Sequence, residues 1–314
     1  MRKNKKKISV VVPCLNEEKN IPLLVPEIMA NIPKGYDWEI ILVNDGSSDN
    51  TESEIAKLCL KNKKVKGIFL YRRFGHQAAL MAGIKEALGD AVITMDGDFQ
   101  HPPQKLGEMI LLWERGNDLV MGKKKEDKTQ GVLMSLKRRV GYLIWEKTTG
   151  GILIPGVSDF RLMSKGVRNY ILKSKETEIF LRGIVMLAAK NPVFMDYKVD
   201  ARRFGKSSYS TRVFINMFIN GLITFSTVPL RSAGVVGLMV ALSAGVFVFA
   251  DMTRALILGK MIIEGWKTVV LLMLILNGFV IFYLGVIGEY IGVIFKEIKR
   301  RPSYLVKERL NIKK

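Results

Sequence analysis

The sequence predicts an α/β protein: a mostly parallel sheet covered by helices on both faces, followed by two membrane-spanning helices. Three observations carry this prediction. Four β-branched, apolar runs alternate with helical patterns in the N-terminal two-thirds of the chain. Polar clusters follow three of those runs, at the same end of each. Two uncharged stretches, nineteen and twenty residues long, lie near the C-terminus.

The strands read in order as "ISVVVPC", "WEIILVND", "VKGIFLY" and "AVITMDGD". Each is nearly continuous in apolar character rather than alternating, the pattern of a strand buried on both faces. Helical stretches follow the first, second and fourth, and "GHQAALMAGIKEAL" follows the third. After the fourth, Pro102 and Pro103 suit a first helical turn, and Leu106, Met109, Ile110 and Trp113 share one helical face. Parallel sheets bind ligands beyond the carboxyl ends of their strands. Those ends carry Asn16 and Glu17, then Asp45 with "GSSDNT", then Asp96, Asp98 and Gln100 in "ITMDGDFQHPP". One such cluster is explained by helix capping alone; three at equivalent ends point to a site. In an extended segment alternate residues face the same way, which would aim Asp96, Asp98 and Gln100 at one spot. Two carboxylates and an amide oxygen suit Mg²⁺ or Mn²⁺, with substrate phosphates completing the shell. Neither GxGxxG nor GxxxxGK[ST] occurs, which argues against a dinucleotide fold and a P-loop.

The uncharged stretches run from Ser232 to Ala250 and from Thr268 to Ile287. Each reaches roughly 30 Å as a helix, the thickness of a bilayer's hydrocarbon core. Asp251 to Lys267 between them holds three basic and two acidic residues, whereas the tail from Lys296 holds eight basic and two acidic. The positive-inside rule then places both termini and the large N-terminal domain in the cytoplasm. Before the first span, Arg212, Asn216, Asn220 and Thr224 form a polar stripe beside Phe214, Phe218 and Phe225, as expected of a helix lying in the headgroup plane. Val132 to Lys147 has a weaker pattern of the same kind. The expected organisation is an α/β domain over 1–208, an interfacial helix over 209–230, a transmembrane hairpin over 231–295 with spans at about 232–250 and 268–288, and a basic tail over 296–314.

The net charge of +20 calls for an anionic partner. An anionic cytoplasmic leaflet accounts for much of it, and no helix-turn-helix, finger or RNP-like pattern points to nucleic acid. Two cysteines, Cys14 and Cys59, make no disulfide framework. The basic start "MRKNKKKISVVVPCLNEE" has too short an apolar run for a signal peptide.

Seven stretches, "VVPCLNEEKNIPLL", "ILVNDGSSDNT", "YRRFGHQAALMAG", "TMDGDFQHPP", "VSDFRLMSK", "FLRGIV" and "RRFGKSSYS", resemble the successive motifs of family 2 glycosyltransferases with the GT-A fold. More narrowly, they are similar to the polyprenyl-phosphate glycosyltransferases, the group of dolichol-phosphate mannose synthase and bactoprenol glucosyltransferase. "FSTVPLR", the two spans and "IGEYIGVIFKEIKRRPSYLV" extend the resemblance to its two-span bacterial members. It implies transfer of one sugar from a nucleotide sugar to a polyprenyl phosphate at the cytoplasmic membrane face, and a homo-oligomer. It maps the nucleotide to Pro13, Leu15, Asn16, Glu17, Asp45 and Asp96, and the divalent metal to Asp96, Asp98 and Gln100. It maps an acid near the reacting centre to Asp159. A loop closing on the diphosphate falls on Arg202, Gly205, Ser207 and Tyr209. Ser208 stands where the family often has a Lys, and His76-Gln77 where it often has Lys-Glu.

A lipid monophosphate is largely dianionic at neutral pH, so it can attack the anomeric carbon without giving up a proton. That leaves two roles for Asp159: a base, or an anchor for the sugar or for Arg161. One displacement inverts the anomeric centre, with Asp98 and Arg202 serving the departing diphosphate. Arg161 and Arg182 are candidates to hold the acceptor phosphate. The alternatives are a processive polysaccharide synthase, for which a Q-x-x-R-W motif and further spans are lacking, and a non-catalytic membrane scaffold, which leaves the Asp96 cluster unexplained.

Overall fold

The computed structural model describes residues 5–125, 156–174, 181–198, 227–259, 265–299 and 301–312. The described elements are, in chain order, β1 (Lys7–Cys14), α1 (Ile21–Asn31), β2 (Asp37–Asn44), α2 (Thr51–Lys61), β3 (Val65–Leu70), α3 (His76–Glu86), β4 (Ala91–Thr94), α4 (Leu106–Glu114) and β5 (Leu119–Lys124). Then follow β6 (Val157–Ser164), α5 (Lys165–Lys173), α6 (Leu181–Ala188), β7 (Pro192–Tyr197), α7 (Val228–Leu258), α8 (Gly265–Lys299) and β8 (Val306–Leu310). The eight strands form one sheet in the order β7-β5-β6-β4-β1-β2-β3-β8. The four strands read from sequence form its parallel centre, β4-β1-β2-β3. β6 runs antiparallel to β4 and β5, β7 parallel to β5, and β8 antiparallel to β3.

The strand order positions the site. From β1 the chain steps outward to β2 and β3, then returns to lay β4 on the other side of β1. Such a reversal opens a crevice at the carboxyl ends of the strands on either side of it. Asn16 and Glu17 follow one of those ends and Asp96 the other.

Both faces of the centre are buried, as the unbroken apolar runs require. Val10, Val12, Ile40 and Leu42 pack with Leu24, Ile28, Met109 and Ile110 of α1 and α4. Their alternates Val11, Ile41 and Val43 pack with Leu80, Ile84, Ile171 and Ile184 of α3, α5 and α6. Each such side chain stabilises by about 1.5–3 kcal/mol relative to leaving it in water. α3 packs tightly on the sheet: a Cβ at Gly83 would stand 2.3 Å from Val11 Cγ1, so a larger residue there forces Val11 or α3 to shift.

The chain divides into two compact units, Met1–Ser210 with Arg300–Lys314, and Thr211–Lys299. The basic tail expected over 296–314 is not wholly a tail, since Val306–Leu310 extends the sheet. Lys307 pairs with Glu52 at 2.9 Å and Arg309 with Glu86 at 3.1 Å, while the Asn311 amide donates to the Cys59 and Val65 carbonyls. In the other unit, Leu230–Ile257 and Val269–Lys299 are each long and apolar enough to cross a membrane. Only 6% and 0% of their most apolar windows are buried, so neither is a core helix of this chain. α7 continues through Asp251 to Leu258 and ends at Gly259 (φ 61°), which moves the start of the expected linker by two turns. A Cβ at Gly237 would meet the Phe279 ring at 2.6 Å, so glycine lets α7 and α8 approach closely there. Of the interfacial helix expected over 209–230, only 227–230 is described, and Val228–Leu230 is the start of α7. The pattern from Val132 to Lys147 lies outside the described residues.

At the opposite end of the sheet from the crevice, Glu39 is 1% exposed. It accepts from Ser9 Oγ at 2.6 Å and from the Leu88 N–H at 2.7 Å, and pairs with Lys7 and Lys66 at 2.7 Å each. Burial raises the carboxyl's pKa, but Lys66, Lys7, Ser9 and the Leu88 N–H together outweigh burial and bring it down to about 2. A group whose folded pKa is depressed stabilises the fold above its unfolded pKa, and that stability is lost as pH falls towards the folded one. Glu39→Gln is therefore expected to cost on the order of 3 kcal/mol at neutral pH. In melts of the full chain, the gap to wild type should close between pH 4.5 and about 2; a gap unchanged over that range contradicts the assignment.

Candidate active site

Asp159 stands at the centre of the site. It lies on β6 and is 4% exposed. Residues two apart on a strand share a face, so Arg161 lies beside it and donates to its Oδ1. Arg182, from the first turn of α6, donates to Asp159 Oδ2 at 2.9 Å. From the start of α3, His76 Nε2 lies 3.6 Å and Gln77 Nε2 3.4 Å from the same oxygen. Thr94 Oγ1, at the end of β4, donates to the Asp159 carbonyl at 2.6 Å. Burial alone would raise the Asp159 pKa; the charges of Arg182 and Arg161, with His76, outweigh it and hold the carboxyl well below the usual range. It is ionised throughout the neutral range.

Asp96 adjoins this cluster. Its Oδ1 is 3.5 Å from His76 Nε2, and that buried oxygen accepts no hydrogen bond. Burial disfavours a charged His76 ring, but Asp159 and Asp96 outweigh burial and raise its pKa. The route from Asp96 to Gln100 is not the extended segment expected from sequence. β4 ends at Thr94, the chain turns, and Phe99 is left-handed at φ 65°. Asp98, 5% exposed, uses Oδ1 to accept the Gln100 N–H at 3.1 Å, holding the turn. Alternation along a strand is therefore not what groups Asp96 with Asp98; the turn is. Gln100 is half-buried.

His101, to which the sequence assigns no role, fixes the turn. Its Nδ1 accepts the Asp96 N–H at 2.9 Å, and its ring stacks on Phe160 at 5.0 Å with the Tyr197 edge at 5.7 Å. Burial lowers its pKa, so it is a neutral acceptor here. The HPP that reads as a helix start carried no signal of that.

The β1 and β2 ends form the adjoining part of the crevice. Asn16 takes φ 58°, its N–H donating to Ser47 Oγ at 3.0 Å and its Oδ1 accepting the Ser48 N–H at 2.9 Å. The Glu17 N–H donates to Thr51 Oγ1 at 2.8 Å. A Cβ at Gly97 would lie 3.4 Å from the Pro13 carbonyl and 3.5 Å from Glu17 Cγ, which puts the Asp96–Asp98 turn directly against the β1 end. Leu15 is half-buried beside them. Asp45 is buried, and its two oxygens accept the Phe74 and Gly75 N–H groups at 2.7 and 2.9 Å. What it does in this structure is order the loop that leads into His76.

Thus Pro13, Leu15, Asn16, Glu17, Asp45, Asp96, Asp98, Gln100, Asp159, Arg161 and Arg182 all lie at the carboxyl end of the sheet. Arg202, Gly205, Ser207 and Tyr209 lie outside the described residues. One expectation changes: Arg161 is 1% exposed, with its guanidinium on Asp159 and on the Leu181 carbonyl at 3.0 Å, so it is placed to hold Asp159 and not an acceptor phosphate. The Arg182 side chain, 32% exposed, keeps a face to solvent.

These two arginines should separate in a mutational test. Arg161→Met strands a buried carboxylate and should cost about 3–5 kcal/mol of stability. Arg182→Met also takes a cation from Asp159, but from a partly exposed position where water replaces part of the lost interaction, so it should cost less stability than Arg161→Met while lowering turnover at least about tenfold. Equal losses of melting temperature in the two variants would contradict this division.

A family model described as Glycosyl transferase family 2 matches residues 9–173 of the 314. The prophage bactoprenol glucosyl transferase homolog of Escherichia coli (strain K12) is 33% identical over 302 residues, 96% of this chain and 98% of that protein. The bactoprenol glucosyl transferases of Shigella phages SfII and SfX are each 34% identical over 96% of this chain and over 98% and 99% of their own lengths. The crystal structure of glucosyl-3-phosphoglycerate synthase from Mycobacterium tuberculosis, in complex with Mn²⁺, UDP and phosphoglyceric acid, aligns over 70% of this chain and 77% of that one. Its TM-score is 0.52 at 20% identity, a likeness of fold that agrees with the GT-A arrangement expected from the motifs. With a family model spanning over half the chain and relatives above 30% identical almost end to end, the chain belongs to glycosyl transferase family 2 and is a glycosyltransferase.

Proposed function

We propose that this glycosyltransferase moves a single sugar from a UDP-sugar to a polyprenyl phosphate, undecaprenyl phosphate, with inversion at the anomeric carbon. The reaction takes place at the cytoplasmic membrane face, with the catalytic domain and both termini in the cytoplasm. The observation that carries this reading is the near full-length similarity to transferases named for bactoprenol. The two apolar helices support it, since such an acceptor keeps its tail in the bilayer.

Asp96 and Asp98, with Gln100, would hold a divalent cation, Mg²⁺ or Mn²⁺. The donor chemistry fits one: two carboxylates completed by phosphate oxygens suit a hard cation, and because no three His, Cys, Asp or Glu side chains group as a metal site among the described residues, the substrate would have to supply the remaining ligands. The buried Asp96 Oδ1 that accepts no hydrogen bond is an available donor atom. When bound, the cation neutralises charge on the departing diphosphate.

The remaining work falls to the chain's own residues. Pro13, Leu15, Asn16, Glu17 and Asp45 flank the nucleotide at the β1 and β2 ends. Asp159, kept ionised by its cations, is an anchor: a carboxylate with so low a proton affinity is a poor general base. The acceptor needs none, because its phosphate is largely dianionic at neutral pH. An acceptor oxygen bonds to the anomeric carbon as the bond from that carbon to the diphosphate oxygen breaks. Arg182, tethered through Asp159, meets the acceptor phosphate. By the resemblance of "RRFGKSSYS" to the family motif, Arg202, Gly205, Ser207 and Tyr209 would serve the departing diphosphate.

The test is a panel of nucleotide sugars supplied to the purified full chain in vesicles containing undecaprenyl phosphate. One donor should yield a lipid-linked monosaccharide, lost in EDTA and restored by Mg²⁺ or Mn²⁺. Asp98→Asn should lower transfer at least about a hundredfold under restored metal. A polymeric product, or transfer undiminished in EDTA, would contradict the reading.

A further inference from the structure

A cavity of about 370 Å³ lies away from the crevice, lined by Met81 and Lys85 of α3, Leu172 of α5, and Pro302, Ser303 and Tyr304. Its walls are fixed. Arg168 of α5 donates to the Ile84 and Lys85 carbonyls at 3.0 and 3.1 Å, fastening α5 to the end of α3. Arg309 pairs with Glu86, and β8 pairs with β3 just beyond Tyr304. Four of the six lining side chains are apolar or aromatic, and the two others are an exposed ammonium and a hydroxyl. That is the composition of a site for a molecule with a long apolar part and an anionic head.

The chain itself says where such a molecule comes from. Pro302 is the third residue after Lys299, where α8 ends, and Lys296, Lys299, Arg300 and Arg301 crowd that junction in sequence. Basic residues clustered directly beside an apolar helix attract anionic headgroups. We propose that the cavity takes an acyl chain of an anionic phospholipid, with Lys85 meeting the headgroup phosphate; this rests on the membrane reading above. The occupant is proposed as a lipid distinct from both substrates, so unlabelled undecaprenyl phosphate should not displace it, and displacement by that lipid overturns the assignment. α3 runs from this cavity to His76 and Gln77, so the bound lipid steadies the helix that delivers those two side chains to Asp159.

The experiment uses the full chain in vesicles carrying trace phosphatidylglycerol with a photoactivatable group in its acyl chain. Crosslinked peptides are read by mass spectrometry. Labelling is expected on the peptides holding Met81–Lys85 and Pro302–Tyr304, competed by unlabelled phosphatidylglycerol and not by inorganic phosphate. Lys85→Glu should reduce it about fivefold. Met81→Trp and, from the opposite wall, Ser303→Trp should each reduce it by filling the space, so a folding defect in one leaves the other informative. Equal labelling by a phosphatidylcholine probe, competition by inorganic phosphate, or labelling unchanged in both Trp variants overturns the proposal. Label on α8 but not on the cavity peptides overturns the lipid site alone; no label on α8 overturns the membrane reading with it.

Discussion

A carboxylate taken out of water costs several kcal/mol unless cations and hydrogen bonds surround it, and the site is organised around meeting that condition at Asp159. Its partners come from four elements far apart in sequence: Arg161 on the same strand, Arg182 on α6, His76 and Gln77 on α3, and Thr94 on β4. Moving Arg161, Arg182 or His76 leaves the buried carboxylate one cation short, and moving Thr94 leaves the Asp159 backbone carbonyl without its donor. The position of α3 is thereby fixed at its N-terminus, and Asp45 reinforces it by gripping the Phe74 and Gly75 amides that precede it. Gly83 then fixes the middle of α3 against Val11.

The same cluster divides labour among like-charged groups. Asp159 is surrounded by cations, whereas the neighbouring Asp96 keeps one buried oxygen without a hydrogen-bond donor. Arg161 is closed to solvent and Arg182 is not. In each pair one member is enclosed and the other keeps a face to solvent. His76 lies between the two aspartates, 3.5 and 3.6 Å from their oxygens, and links the two carboxylates. A lysine, more frequent at this position in the family, would bring a charge on a flexible stem; the imidazole brings a short, planar bridge.

Much of this was legible in the chain. Continuous apolar runs such as "ISVVVPC" imply strands covered on both faces, and the parallel centre follows from them. The aspartates after β2 and β4 announced the crevice, because strand ends are where a parallel sheet presents polar groups. What remained hidden depended on tertiary packing. β8 reads as "VKERL", a charged segment with only its end residues half-buried, and an edge strand of that kind resembles a solvated tail. The neutral role of His101 depends on Phe160 and Tyr197, which come together with it only when β6 and β7 join the sheet. Arg161 reads as a phosphate ligand until β6 turns its side chain inward.

The central claim is that Asp159 is a buried ionised anchor whose loss is felt by the fold as well as by the reaction. The thermal unfolding midpoint of Asp159→Asn in the full chain tests it most directly. The amide leaves the Arg161 guanidinium buried without its counter-charge, and the account predicts a loss of about 3–5 kcal/mol. An unshifted midpoint accompanied by lost turnover would contradict it.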